Sequence, residues 1–411
     1  MSDCAAMRLP RTLAAALGLL ALAACTSPNP AGPLSPTGPD PSATGSPTAQ
    51  PSEQPSATSS ADPTPSPTPD PLTGMSLEEI VGQVIMTGAP VDAGGVAEVT
   101  RTAIVDHHVG NLFLHGRSEA GVQATAELVE QYTTLPDGDA PVMLVATDQE
   151  GYNVQVLRGP GFSDIPSAME QATWPATDLT AAATTWGTEL AQAGITLNLA
   201  PVMDLVPAEN QQANAPIGYY SRNYGNTAQS VIDGAGAFAR GMQQAGVQPV
   251  IKHFPGLGHV TQNTDTARDV VDEVVTADSQ DIAVFEAGIE AGARYVMLAN
   301  ATYALIDPDN PATFSPEMVR ILREDLAFDG VIMTDDVSAA AAVTDVAPGD
   351  RAVRAIEAGV DLVLASADPS VVPAMTEALV QRAEEDPAFE ERVREAARAV
   401  LTEKANDPQR R

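Results

Sequence analysis

The run Val247-Gln248-Pro249-Val250-Ile251, continued by Lys252-His253-Phe254-Pro255-Gly256-Leu257-Gly258-His259-Val260-Thr261-Gln262-Asn263-Thr264-Asp265-Thr266, decides how this chain reads. A short apolar stretch ends abruptly in a cation, an imidazole, two glycines and a carboxylate. The apolar part has the composition of a buried strand, and the rest reads as a polar loop behind it. The pattern returns downstream: Gly330–Met333 is apolar, and Thr334-Asp335-Asp336 follows it. Polar groups gathered behind successive buried strands are the way a β/α barrel builds a site at one end.

Six more strand-like runs share this character: Val84–Met86, Asn111–Leu114, Val142–Ala146, Thr196–Ala200, Tyr295–Leu298 and Asp361–Ala365. Helical patterns separate most of them, at Glu119–Tyr132, Ala181–Ala193, Ala228–Ala245, Asp278–Ala291 and Pro316–Leu326. Ser76-Leu77-Glu78-Glu79 has capping-box spacing and predicts a helix ahead of the first strand. Continuous apolar strands alternating with helices imply a parallel sheet covered on both faces. Eight such units predict an α/β fold, a (β/α)8 TIM-type barrel forming a single catalytic domain over residues 75–411. No Gly-x-Gly-x-x-Gly or Walker loop follows an early strand, which argues against nucleotide binding.

Several strands end in polar residues. Asp148, Gln149 and Glu150 follow the third, Asp204 the fourth, Lys252 and His253 the fifth, Asn300 the sixth, and Asp335 with Asp336 the seventh. Any one of these could be a helix cap. Together they predict one rim converging on the barrel axis.

The N-terminal part reads differently. Arg8 and Arg11 precede an apolar run, Leu13–Ala24, too short to span a bilayer and expected to be a secretory signal over residues 1–24. Leu22-Ala23-Ala24-Cys25 resembles a bacterial lipobox, which implies cleavage before Cys25 and lipidation of its thiol. The chain has two cysteines, and Cys4 would leave with the signal, so no disulfide framework is expected. Residues 25–74 are then the lipidated cysteine and a disordered linker. Fourteen of the 34 prolines fall in 26–74, too little apolar surface to offset the entropy of ordering. Such a linker reaches between roughly 40 Å as a coil and about 150 Å extended. The expected location is extracytoplasmic, anchored to the cell membrane. The formal net charge of −33 is scattered, which excludes nucleic acid as a partner.

The folded part resembles glycoside hydrolase family 3, and within it the single-domain bacterial β-N-acetylglucosaminidases. Asp148-Gln149-Glu150-Gly151, Ala200-Pro201-Val202-Met203-Asp204, Ile217-Gly218 through Arg222-Asn223-Tyr224-Gly225, Lys252-His253-Phe254-Pro255-Gly256, Pro311-Ala312-Thr313-Phe314-Ser315 and Thr334-Asp335-Asp336-Val337-Ser338 carry the resemblance in order. It implies that Asp335 is the nucleophile. It implies that Asp148, Arg222, Lys252 and His253 bind sugar, with Arg222 either touching hydroxyls or positioning a neighbouring carboxylate. Asp336, adjacent to the nucleophile, is expected to cap or support.

The chain departs from the pattern at the proton donor. Close relatives carry Asp-Ser-His on the loop after Lys-His-Phe-Pro-Gly, and counting from Lys252 that triplet falls on Asn263-Thr264-Asp265. A carboxylic acid can protonate a glycosidic oxygen when burial or a nearby carboxylate raises its pKa. Asp265 is therefore the expected acid/base residue, with His259 the alternative and a loop-ordering role for Asp265 a third option. Tyr152-Asn153 stands where the family has Gly-Arg, and two extra residues shift the Arg222 motif.

The expected function is a retaining exo-β-N-acetylglucosaminidase acting on cell-wall-derived glycans such as muropeptides. The alternatives are a β-glucosidase or β-xylosidase of the same family, and a catalytically inactive sugar-binding lipoprotein. Phosphorolysis is disfavoured, because Asp265 would repel phosphate. A carbohydrate substrate and a lipid anchor are the expected partners of a monomer, with no cofactor and no metal. Aromatic residues make up only 4% of the chain, which suits a small pocket for one terminal sugar.

Overall fold

The structure, a computed structural model, describes residues 70–92, 94–136, 138 and 140–406. The expected signal segment, Cys25 and nearly all of the proline-rich linker lie outside the described residues.

Eight parallel strands run in sequence order around one sheet: β1 Ile85–Pro90, β2 Asn111–His115, β3 Leu144–Thr147, β4 Leu197–Asn198, β5 Gln248–Phe254, β6 Tyr295–Leu298, β7 Val331–Thr334 and β8 Val363–Ala365. β8 returns to pair with β1, Ile85 opposite Val363. The remaining gap, between β7 and β8, is bridged at Met333–Leu362, with the Thr334 amide donating to the Leu362 carbonyl at 3.0 Å. The result is the (β/α)8 barrel that the alternation predicts.

Strand alternation divides the core in two. Ile251, Val296 and Ile332 point outward and pack under the helices. Val250, Tyr295, Met297, Val331 and Met333 point inward and fill the barrel. Each fully buried aliphatic side chain contributes about 1.5–3 kcal/mol, and both faces of every strand draw on this. That is why the strands read as unbroken apolar runs. Phe113, Leu199, Met297 and Leu364, from the ends of β2, β4, β6 and β8, form an upper layer of the interior. Four side chains from alternate strands are the usual filling of such a barrel.

Helix α1, Leu77–Gln83, precedes the barrel, and the Ser76 capping box closes with Glu79 as expected. Behind the strands come α2 Glu98–Val105, α3 Gly121–Thr133, the single turn α4 Ala168–Gln171, α5 Ala176–Gln192, α6 Ala228–Gln244, α7 Gln280–Glu290, α8 Pro316–Arg320, α9 Pro348–Ala358 and α10 Val372–Glu385. A last helix, α11 Pro387–Ala405, closes the N-terminal end of the barrel. Its Val400 joins the inner core, and Lys404 Nζ donates to Gln83 Oε1 at 2.7 Å and to the Gly110 carbonyl at 2.9 Å.

Two local differences matter for the site. The sequence pattern ends the fifth strand at Ile251, whereas β5 runs on to Phe254. The extension exists because Lys252 and Phe254 find ladder partners in Met297 and Leu298 of β6. Lys252 and His253 therefore stand on rigid strand rather than in a loop. The rim also carries small sheets that the periodicity does not signal. One is a hairpin of Gln149–Gly151 with Val154–Gln155; the other joins Val271–Asp272, Thr302–Tyr303 and Asp307–Pro311.

Candidate active site

A cavity of about 360 Å³ opens at the C-terminal end of the barrel. Its floor is the layer Phe113, Leu199, Met297 and Leu364. All six residues expected to act on substrate line it: Asp148, Arg222, Lys252, His253, Asp265 and Asp335.

One wall is a charged network. Lys252 Nζ lies 2.7 Å from Asp148 Oδ1 and 2.8 Å from Glu150 Oε1. Arg222 grips the same Glu150 with Nη2 to Oε1 at 2.7 Å and Nε to Oε2 at 2.9 Å, and donates from Nη1 to the Pro216 carbonyl at 2.9 Å. Burial alone would raise the Glu150 carboxyl, but the Arg222 and Lys252 charges outweigh it and hold the group at about 2. Burial works against the Lys252 charge, yet Asp148 and Glu150 keep its pKa above the usual lysine value. Glu150 is thus ionised at neutral pH, and the fixed donors of the two cations can recognise hydroxyls by charge-assisted hydrogen bonds.

His253 is oriented from behind. Its Nδ1 lies 2.8 Å from Asp204 Oδ2, a fully buried carboxylate. Asp204 Oδ1 also accepts from the backbone amides of His253 at 3.1 Å and Leu257 at 2.9 Å. With Nδ1 engaged there, Nε2 is the ring nitrogen left for the cavity. Gly258 lets this segment lie flat against the chain leaving β4, since a Cβ there would run into the Leu205 carbonyl.

Asp335 leaves β7 half-buried at the cavity. Its Oδ1 accepts from the Asp336 amide at 2.7 Å. Burial pushes its pKa up, His253 pulls it down and the nearby Asp265 carboxylate pushes it up again; the balance is about 6. Asp336 turns away. Its Oδ1 accepts from Ser338 Oγ at 2.6 Å and the Ser366 amide at 2.7 Å, and Oδ2 from the Ala339 amide at 3.0 Å, so it ties the exits of β7 and β8 together. The buried Asn300 donates from Nδ2 to the Asp336 carbonyl at 2.8 Å.

The two candidate proton donors are placed very differently. Asp265 is exposed at the mouth, on a loop pinned to the segment behind Asp335: Ala342 N donates to the Thr264 carbonyl at 3.0 Å and Ala341 N to the Asp265 carbonyl at 3.2 Å. Arg268 and Asp345 form an ion pair between the same loops. His259 is turned away from the cavity lining toward Asp281 on α7, with Nε2 3.2 Å from Oδ1. Hydrogen bonding to Asp281 raises its pKa, against partial burial.

Sequence reasoning assigned no site role to His115, Glu150 or Asp204. His115 ends β2 and lines the cavity; burial lowers its pKa. His115 is the last residue of β2, and Glu150 and Asp204 follow β3 and β4, so the strand-end signal points at them, but only side-chain direction gives each its part.

Carboxylates and fixed cations gathered at the C-terminal end of a β/α barrel stand where this fold carries its active sites. The model of the glycosyl hydrolase family 3 N-terminal domain matches residues 76–402, and the chain belongs to that family. It is 37% identical over 233 residues to a beta-hexosaminidase of Stenotrophomonas maltophilia, covering 54% of this chain and 66% of that protein. It is 34% identical over 282 residues to a beta-hexosaminidase of Methylococcus capsulatus, covering 66% of this chain and 80% of that one. Among solved structures, the beta-N-acetylhexosaminidase from Beutenbergia cavernae shares 55% identity with a TM-score of 0.79, covering 80% of this chain and 99% of that one.

Proposed function

We propose that this family member is a retaining exo-β-N-acetylhexosaminidase that removes terminal β-linked N-acetylglucosamine from cell-wall-derived glycans. The observation that carries the reading is Asp335 sharing one small cavity with Asp265 and the Lys252–Asp148 pair. The names of the relatives support the sugar class. Asp335 attacks the anomeric carbon while the bond to the leaving oxygen breaks and Asp265 gives that oxygen its proton. Water then attacks the same carbon, its proton passes to the Asp265 carboxylate, and Asp335 is released. Lys252, Asp148, His253 and Arg222 hold the sugar, Arg222 through Glu150.

The test is turnover of 4-nitrophenyl β-N-acetylglucosaminide beside the matching glucoside and xyloside, with the product anomer read by NMR. Preference for the acetamido sugar with β product first is expected. An α first product overturns retention. Preference for another sugar moves the substrate, and sugar binding without turnover of any leaves a binding protein. The lipobox at Cys25 supports export and membrane anchoring. Incorporation of labelled palmitate into the full chain, lost in Cys25→Ala, tests this.

A further inference from the structure

Seven tyrosines occur in the chain, and the structure divides them sharply. Tyr132, Tyr224, Tyr295 and Tyr303 are buried. Tyr152, Tyr219 and Tyr220 are 60%, 60% and 43% exposed, and they are the exposed large aromatics among the described residues. These three are not scattered. Tyr152 stands two residues after Glu150, and Tyr220 two residues before Arg222, so the Glu150–Arg222 ion pair draws their loops together. Tyr219 and Tyr220 also lie between Pro216 and Arg222, both of which line the cavity.

Each ring is presented on a fixed backbone. The Tyr152 amide donates to the Ile165 carbonyl at 2.7 Å, and its own carbonyl accepts from Arg158 Nη2 at 2.7 Å. Its φ is 51°, a left-handed conformation that a bulky L residue adopts only at a cost. Glycine would hold that turn without strain, and the exposed ring buries little in return. Tyr219 and Tyr220 pack edge to face with centroids 5.1 Å apart, and the Tyr219 amide donates to the Asn214 carbonyl at 2.9 Å. Asn214 is itself clasped to the loop that leads to Asp265, through the Leu257 and Val260 carbonyls at 2.6 and 2.7 Å.

The cavity is near the small end for ligand pockets, so it encloses one sugar ring and the rest of a glycan must lie outside it. We infer that Tyr152, Tyr219 and Tyr220 form an aromatic platform at the mouth that stacks the sugar ring next to the one held in the cavity. The inference rests on the glycosidase reading and extends it: the substrate is an oligosaccharide recognised beyond its terminal residue. Tyrosine suits this place, offering a flat apolar face to the axial C–H groups of a pyranose and a hydroxyl to water.

The experiment compares N,N′-diacetylchitobiose and N,N′,N″-triacetylchitotriose with β-N-acetylglucosaminyl fluoride, whose leaving group has no ring. The full chain carries Tyr152→Gly or Tyr219→Ala/Tyr220→Ala. The readout is the ratio of kcat/KM for oligosaccharide to that for methyl β-N-acetylglucosaminide, whose leaving group lacks a ring yet needs a proton as a sugar does, with the fluoride reporting that the site is intact. A fall of about 3- to 10-fold per ring removed is expected. A ratio that stays at the wild-type value, including equal losses on oligosaccharide and methyl glycoside, overturns the platform. So does a wild-type protein that cleaves the fluoride but neither oligosaccharide. A wild-type protein silent on the fluoride removes the glycosidase reading, and the platform with it.

Discussion

Arg222 and Glu150, 72 positions apart in the chain, meet in a bidentate ion pair whose second acceptor edge is shared with Lys252. The pair joins the loop behind β3 to the loop behind β4 and forms part of the charged wall of the cavity. Removing Arg222 leaves Lys252 as the remaining cation on buried Glu150, a partial loss of compensation that costs up to about 3–5 kcal/mol. Arg222→Met is expected to destabilise the fold by that order and to raise KM. Arg222→Met with Glu150→Gln is expected to recover part of the stability but not the KM. A double-mutant cycle by urea unfolding measures this; strictly additive losses would contradict a direct pair.

The same pair shapes acid stability. Glu150 has its carboxyl depressed from 4.5 to about 2 in the fold. A depressed carboxylate stabilises the native state above its unfolded pKa and loses that contribution as pH falls through the folded value. About 3 kcal/mol should therefore disappear between roughly pH 4.5 and 2. Glu150→Gln should flatten that part of the stability curve, as read by thermal unfolding at several pH values.

Asp335 has the opposite sign. Its pKa is raised from 3.8 to about 6, so the native state holds a proton that the unfolded state has already lost. Ionising Asp335 above pH 6 therefore costs stability, and below pH 4 the cost is absent. Asp335→Asn is expected to stabilise the protein at pH 7 by about 1–3 kcal/mol and to leave it unchanged at pH 3.5. The same variant should lose turnover by a factor of at least about 10³. Near-normal turnover would refute its role as nucleophile.

The ionisation also sets a pH–rate profile. A nucleophile must be charged, so kcat/KM should fall about tenfold per unit below pH 6. Lys252 lowers the Asp335 pKa, and Lys252→Met should move this acid limb to higher pH while weakening binding. An unmoved limb would assign it to another group.

Asp265→Ala should lower kcat/KM for oligosaccharides by about 10²–10⁴-fold and for 2,4-dinitrophenyl glycosides little, because a good leaving group needs no proton. Without the general base the second step limits kcat on the activated substrate, and azide, which needs no base, should raise that kcat and yield the β-glycosyl azide. His259→Gln should not show this leaving-group dependence. Its ring is committed to Asp281, and its loss should appear as reduced stability instead.

The barrel was open to sequence reading because its strands are buried on both faces. Such strands appear as apolar runs like Gly330–Met333, and the residues just past them gather on one rim. Lys252, His253, Asp148 and Asp335 could be placed by that rule alone. The tight exit at Phe254 could not, since the strand continues only where β6 offers it a ladder partner. Nor could the division of labour between Asp335 and Asp336: identical adjacent carboxylates differ only in the direction the backbone gives them.

The amino-acid sequence by itself determined the barrel, its strand order and the residues of the rim, because local periodicity and strand-end chemistry are properties of short segments. The tertiary structure alone decided who meets whom. It set Asp204 behind His253, gave Glu150 two cations, sent His259 to Asp281 and placed three exposed tyrosines on two loops. Those outcomes depend on distances between residues far apart in the chain, which close only when the strands curl into a barrel and their ends converge on one axis.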